Sequence, residues 1–509
     1  MHRRTPLHTA VHPSHIPLLA LAFSAAIALP ASVHAAILCV DKSGAAGCYS
    51  TISSAIAASA PGDTVKVHPG TYHEDVTINA PVSLVGQGRN TTIIDATGLA
   101  NGILVTGFDN PSLGFAGVDE VVISGFTVRN ANFEGILVSN ASHVTIFRNT
   151  ILNNDQLASS SCAGLPAFEA TETTDCGGGI HLIGIVHSSV TKNVVQGNAG
   201  GIVLSDETTT THDDLVSDNL IRNNGATAGV TISSNPAYFA PDEPHQSGKT
   251  YAFGVYDVLV AHNLSSGNAA GVAILALGAS SRTFANQITG NRLTGNTGPG
   301  VMIHTGPNTT LPGAKNPDAS RNTIAGNYIA DNGADPVYTA GATTSSAAPA
   351  GQLQVVGMDR VFFVATGPAG ISVGGSSIIV DTLVTSNVIE REDIDVAFSN
   401  ADRLDLHLND LLGRKVGVAN LNSSGAVNAT ENYWGCDKGP GTSDCSSIAG
   451  GAAVTYIPWL GRAVDSSEGR CMDSFFDVLE AEARGDDQDR TSHKDNDRSE
   501  DHGSSGGRD

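Results

Sequence analysis

The sequence predicts an all-β fold in which short strands and tight turns coil into rungs stacked around a thin aliphatic interior. Three observations predict it. Two asparagines separated by four residues recur at Asn149/Asn154, Asn193/Asn198, Asn219/Asn224, Asn263/Asn268, Asn291/Asn296 and Asn327/Asn332. An aliphatic residue stands three positions before each leading Asn (Ile146, Val190, Val216, Val260, Ile288, Ile324), and the position two after it reads Ile151, Val195, Ile221, Ser265, Leu293, Ile329. Gly-led alternating segments recur as well: GILVS from Gly135, GIHLI from Gly179, GIVLS from Gly201, GVTIS from Gly229, GVAIL from Gly271 and GVMIH from Gly300. Alternation sends every second side chain inward. Asparagine tolerates the left-handed turn conformation and bonds its own backbone, and its amides ladder when rungs stack in register. A single rung cannot bury its apolar face alone, so rungs must stack. The leading asparagines lie 26 to 44 residues apart, which fits one rung or one rung plus an inserted loop.

Composition agrees with a narrow core. Apolar residues make up 40% of the 509, but aromatics only 5%, and Gly (57) far exceeds Pro (21). Acidic residues outnumber basic ones 50 to 27, a formal charge of −23, which argues against a nucleic-acid partner.

The elements follow in order. Residues 1–35 read as a signal peptide: Arg3 and Arg4 at the start, an apolar run from Ile16 to Leu29, and Val33-His34-Ala35 at the cleavage position. The rival is an uncleaved anchor, for which the run is short. Cleavage makes the charge −25, because the leader holds two arginines and no acid. No later stretch reaches membrane-spanning length, and the expected location is secreted or periplasmic. Six of the seven cysteines are near neighbours, which in an exported chain suggests the disulfides 39–48, 162–176 and 436–445, with Cys471 left over. A metal site would want Cys-x-x-Cys spacing, which is absent. Ile52, Ala55 and Ile56 outline a short amphipathic helix. Strands follow around Val65-Val67, Val76-Ile78 and Val82-Val85. Insertions interrupt the rungs at about 155–178, 234–254, 305–320 and 333–369. In solenoids such insertions gather on one face, often the binding face; the alternative is surface drift. The coil occupies about 36–465. Residues 466–509 form an acidic tail, and from Glu480 "EAEARGDDQDRTSHKDNDRSEDHGSSGGRD" is almost free of apolar residues and reads as disordered.

"YSTISSAIAASAPGDTVKVHPGTYHEDVTI" from Tyr49 resembles the first segment of exported β-helix proteins. "NATENYWGCDKGPG" from Asn428 and "VTYIPWL" from Val454 resemble the terminal segment of bacterial surface β-helix proteins. With the repeats between, the chain resembles the right-handed parallel β-helix, or pectin-lyase-like, family over roughly residues 37–462. The resemblance implies an all-β, single-stranded, right-handed parallel β-helix whose short N-terminal helix plugs the open end. It is specific for fold and poor for function. The catalytic stretch of pectin methylesterases does not appear, and "GVDEVVISGF" from Gly117 is no substitute. "THDDL" supplies Asp213 and Asp214 without the other polygalacturonase motifs, and the Asp-Pro-His of alginate epimerases is missing.

What remains for chemistry is a column. The position before the leading Asn reads Arg148, Lys192, Asp218 and His262, then Gly290 and Gly326. With the residue three before the Asn facing inward, this one is exposed or half-exposed, depending on the turn, and successive rungs lie about 4.8 Å apart. A uronate lyase needs such an ensemble: a cation (Arg148 or Lys192) on the sugar carboxylate, His262 as base or acid, Asp218 to orient it or hold a cation. The plain alternative is four polar side chains on a solvated face. A second face carries His181, Ser205, Thr231, Ser233 and His304 among Leu137, Val203, Leu275 and Met302, which reads as covered packing beneath the inserted loops. The acidic balance would repel a polyanion unless calcium bridged the two, which counts against the lyase and towards a neutral glycan or no glycan; calcium is the one cofactor the sequence leaves open. The sequence favours an exported, monomeric module presenting a ladder for glycan or surface contact. A polysaccharide lyase is the alternative.

Overall fold

The structure, a computed structural model, describes residues 35–107, 117–155, 178–234, 253–333, 368–421 and 427–464, apart from residues 226, 277, 279, 307, 309–312, 443 and 451–452. The leader (save Ala35), the 162–176 cysteine pair, Cys471 and the tail lie outside these residues.

The described strands build three long sheets, and every registered strand pair is parallel. Sheet A has 14 strands, sheet B 11 and sheet C 16. Each rung visits them in turn. Thr145–Phe147 lies in sheet A, Thr150–Leu152 in sheet B and Ile180–Val186 in sheet C. The next rung repeats the path with Ser189–Thr191 and Val194–Gln196, then Ile202–Ser205. Parallel strands in register are what the repeat demanded. Ile146 pairs with Val190, Val216 with Val260, and Ile288 with Ile324. These side chains are buried and form one continuous aliphatic core with Ile151, Val195, Ile221, Leu293 and Ile329 from sheet B. Ser265 interrupts that file, and its hydroxyl is satisfied by donating to the carbonyl of Gly271.

From the rung at Val118 onward most corners follow one rule: a residue at positive φ, then a buried one. At the A–B corner the pairs include Arg148/Asn149, Lys192/Asn193, Asp218/Asn219 and His262/Asn263. The buried amides run rung to rung. Asn193 donates its Nδ2 to Asn219 Oδ1 (3.1 Å) and to the Ile146 carbonyl (2.9 Å), while its backbone N–H donates to the same Oδ1 (2.9 Å). The file is longer than the sequence pairs indicated. It continues from Asn327 through Asn387 and Asn409 to Asn432, each amide donating to the next. A parallel file at the B–C corner joins Asn154, Asn198, Asn224, Asn268, Asn296 and Asn332 and ends on the Glu392 carboxylate.

The ends are closed differently. Ile52–Ala58 is a helix with Ile52 and Ala55 buried against sheet A and Val76–Ile78. Its first N–H groups, on Ile52 and Ser53, donate to the Glu74 carboxylate (2.9 Å each), a favourable place for an anion. At the far end Trp434 is fully buried, and Tyr456 and Trp459 pack beside it. Cys39–Cys48 and Cys436–Cys445 are paired as expected.

All four predicted insertions flank sheet C. Residues 156–177 and 334–367 precede the sheet C strands at Ile180 and Ala369, and residues 235–252 and 306–317 follow those ending at Ser234 and Thr305.

Candidate functional site

The A–B corner brings the four column residues together. Arg148, Lys192, Asp218 and His262 all sit at φ between 53° and 58° in consecutive rungs. The N–H of each donates at 3.2 Å to the carbonyl one rung on (Thr191, Ser217, Ala261 and Thr289). The file therefore spans three rung steps, about 14 Å. Arg148 and His262 are exposed, and Lys192 and Asp218 half-buried. His262 Nδ1 lies 4.0 Å from Asp218 Oδ1, and Ser217 donates to the other Asp218 oxygen (3.2 Å). The imidazole lies over Gly290, where an added Cβ would come within 2.6 Å of His262 Cδ2. Arg148 stacks over the Phe147 ring at 5.1 Å. A third cation, absent from the sequence column, joins the corner. Arg89 reaches across from an earlier rung, its Nη1 3.5 Å from the Lys192 carbonyl. The signal was invisible because 103 residues separate the two.

The outer face of sheet C holds a second polar group. His181 is nearly buried, with Nδ1 3.2 Å from Glu134 Oε1 and Nε2 3.1 Å from Ser205 Oγ. Glu134 is 1% exposed, and its other oxygen accepts the Gly178 N–H at 2.7 Å. Glu207 Oε1 lies 3.8 Å from His181 Nε2. The sequence exposed His181 and Ser205 by alternation, but not the two glutamates, which lie just outside the strands. His304 is buried four strands further along the sheet and shares no site with His181. Among the described residues no three His, Cys, Asp or Glu side chains converge as metal ligands.

The family model for the right handed beta helix region matches residues 85–240. The chain is a right-handed parallel β-helix protein. A search of curated proteins by sequence found no match. Solved structures similar to this β-helix include the A-module of the mannuronan C-5 epimerase AlgE4 of Azotobacter vinelandii (13% identity, 79% of this chain and 91% of that one, TM-score 0.37). DFA-IIIase from Arthrobacter chlorophenolicus, in complex with GF2, has 13% identity over 79% and 90% of the two chains, TM-score 0.43. The catalytic unit of a GH87 α-1,3-glucanase from Streptomyces thermodiastaticus has 14% identity over 80% and 65%, TM-score 0.41.

The third corner of the β-helix, from C to A, separates the two acids of "THDDL". Asp213 is an exposed corner residue that contacts His212 (2.7 Å). Asp214 is buried in the ladder position. One of its oxygens accepts the Ser188 N–H at 2.7 Å, and the other has no hydrogen-bond partner among the described residues. Burial, reinforced by the Asp213 charge, pushes its carboxyl up to about 8. Alongside runs a stack of rings, His212, Tyr256 and Phe284, with centroids 4.8 and 5.0 Å apart. Rings stacked on one another offer edges rather than faces, so this file is built for rung cohesion rather than for a sugar. No described helix is long and apolar enough to cross a membrane.

Proposed function

We propose that the protein is an exported β-helix that binds a carboxylated polysaccharide along the A–B corner. The observation that carries this reading is the gathering of Arg89, Arg148 and Lys192 at one corner of a chain whose net charge is −23. Screening confines charge interactions to about 8–10 Å, so a bound sugar meets the local cations rather than the distant acids. Guanidinium forks suit carboxylates. Sugar units repeating along an extended chain would meet a file that repeats with each rung. The Asp218–His262 pair beside these cations favours a second reading, uronate β-elimination. In it the cations hold the carboxylate and His262 removes the proton on the neighbouring carbon.

Affinity electrophoresis of the purified chain in gels carrying alginate, polygalacturonate or a neutral glucan tests the first reading, with and without calcium. Retardation by a polyuronate is expected, weakened at least about tenfold in the Arg148→Ala/Lys192→Ala double variant, from the loss of two charge-assisted contacts. Equal retardation of wild type and double variant, or none by any polyuronate, would end this reading. Release of unsaturated sugar ends, abolished by His262→Ala, would establish the second.

A further inference from the structure

We propose that Ser205, His181 and Glu134 on the outer face of sheet C form a nucleophilic relay that hydrolyses small O-acyl esters, a site separate from the acidic-glycan corner. Three side chains from three successive rungs meet here. Glu134 precedes the strand at Ile136–Ser142, His181 lies in Ile180–Val186 and Ser205 closes Ile202–Ser205. The distances are those of a hydrogen-bonded chain, 3.2 Å from carboxylate to Nδ1 and 3.1 Å from Nε2 to hydroxyl. A nucleophile, a base and a group orienting the base, each in reach of the next, is the arrangement that activates a hydroxyl. Glu134 is fixed from its other side by the Gly178 N–H, so the imidazole is held from a rigid point.

Around the hydroxyl the face supplies further donors. Ser233 stands directly opposite Ser205 in the next rung, half-buried. Thr231, two residues earlier on that strand, is 6% exposed, and its hydroxyl has no hydrogen-bond partner among the described residues. Both point to the same side as Ser205, where the oxygen of a polarised carbonyl would need donors. Apolar Leu137, Val203 and Ile183 complete the floor. Ser205 is 1% exposed while the side chains of His181 and Glu207 keep 10% and 14%, so access is narrow and the acyl group must be small, an acetyl rather than a fatty acyl chain.

In the reaction Ser205 Oγ bonds to the ester carbonyl carbon while its proton passes to His181 Nε2. Collapse of the tetrahedral adduct breaks the carbon–oxygen bond to the alcohol, which leaves with that proton. Water then adds to the acyl-serine while one of its protons passes to His181 Nε2; collapse of this second adduct breaks the bond to Ser205 Oγ, which takes that proton back from His181, and the carboxylic acid leaves. No other reactant is needed. Acetylated sugars are the natural substrate class for a site on a coil that also holds glycan, but the relay stands whether or not the corner binds polyuronate.

The test uses the full chain with p-nitrophenyl acetate and with a fluorophosphonate probe, followed by mass spectrometry of the digested protein. A phosphonyl adduct on the peptide holding Ser205 is expected, together with turnover that falls at least roughly 100-fold in both Ser205→Ala and Glu134→Gln. Both variants must melt at the wild-type temperature for the comparison; Ser205→Cys, which keeps volume and nucleophilicity, replaces Ser205→Ala if that variant is unfolded. A folded wild type that takes no adduct at Ser205, or turnover unchanged by these substitutions, overturns the proposal.

Discussion

Two corners of the coil solve the same turn with different interiors. At the A–B corner the buried position is asparagine from Asn149 to Asn432 without interruption in the ladder. At the C–A corner the same position holds Val144, Ser188, Asp214, Val258, Asn286, Asn322, Thr382 and Leu404, all buried. Both corners put a residue of positive φ just before it, as at Lys192 and at His187. The left-handed residue therefore makes the turn, and the buried amide is not required for it. What the amide adds is cohesion along the axis, since it both accepts from one rung and donates to others. A valine only fills the space. A carboxyl in that place accepts as the amide does, but can donate only while protonated.

Asp214 gives the largest handle on this difference. Its carboxyl titrates near 3.8 when unfolded and about 8 when folded. Below the lower value both states are protonated and nothing is lost. Between the two, the folded state holds a proton that the unfolded state has released, so stability falls as pH rises, by about 1.4 kcal/mol per unit. Above about 8 the loss is complete, at most about 6 kcal/mol. Glu392, pushed up to about 7 chiefly by burial at the end of the B–C file, adds a slope of the same sign. We expect Asp214→Asn to flatten the decline of melting temperature between pH 5 and 9, the variant being the more stable at pH 9 (about 3 kcal/mol or more). Its new amide would stand as Asn286 does, which donates to the Val255 carbonyl. Parallel pH profiles for wild type and variant would show that Asp214 is ionised at no cost.

Breaking the intact corner is the next largest effect. Asn219 accepts from the N–H and Nδ2 of Asn193 and donates to the Val190 carbonyl and to Asn263. In Asn219→Ala these partners are stranded where no solvent reaches, and each unsatisfied buried group costs about 1–3 kcal/mol. We expect a loss of about 3–4 kcal/mol by denaturant unfolding. The mirror experiment at the C–A corner, Val258→Asn, adds a donor and an acceptor next to Asn286 and should cost far less. Equal losses at the two corners would mean that the amide file contributes no more than packing.

Much of this was legible in the sequence because the repeat couples two signals, a period-two aliphatic pattern and an asparagine at a fixed offset. The expected strands at Val65-Val67 and Val76-Ile78, and the helix from Ile52, are where the pattern put them. The ladder was undercounted because Asn387 and Asn409 are followed five positions later by Glu392 and Arg414, so the pair that marks a rung is broken while the stacking is not. The C–A corner was illegible: its buried position has no constant residue. Site geometry was legible only where it repeats. Alternation placed His181 and Ser205 on one face, but Glu134 and Arg89 enter from other rungs, and only register brings them in.

The smallest effect separates side chains kept for the turn from those kept for something else. Down the A–B column, Gly290 and Gly326 take positive φ freely, whereas Arg148, Lys192, Asp218 and His262 take it against a Cβ penalty. That penalty is about 1 kcal/mol for each such residue. A glycine relieves it but restores freedom to the unfolded chain, which returns about 0.5–1 kcal/mol of the gain. Lys192→Gly should therefore leave stability within about 0.5 kcal/mol of wild type, on the stabilising side, while weakening retention by a polyuronate gel. Thermal melts and affinity electrophoresis on the same preparation read both. A destabilisation above about 1 kcal/mol would make Lys192 a structural residue of its corner, since its stem or its charge would then be holding the rung. Unchanged stability with weakened retention is the pattern of a side chain that the fold tolerates at a strained position because the surface uses it.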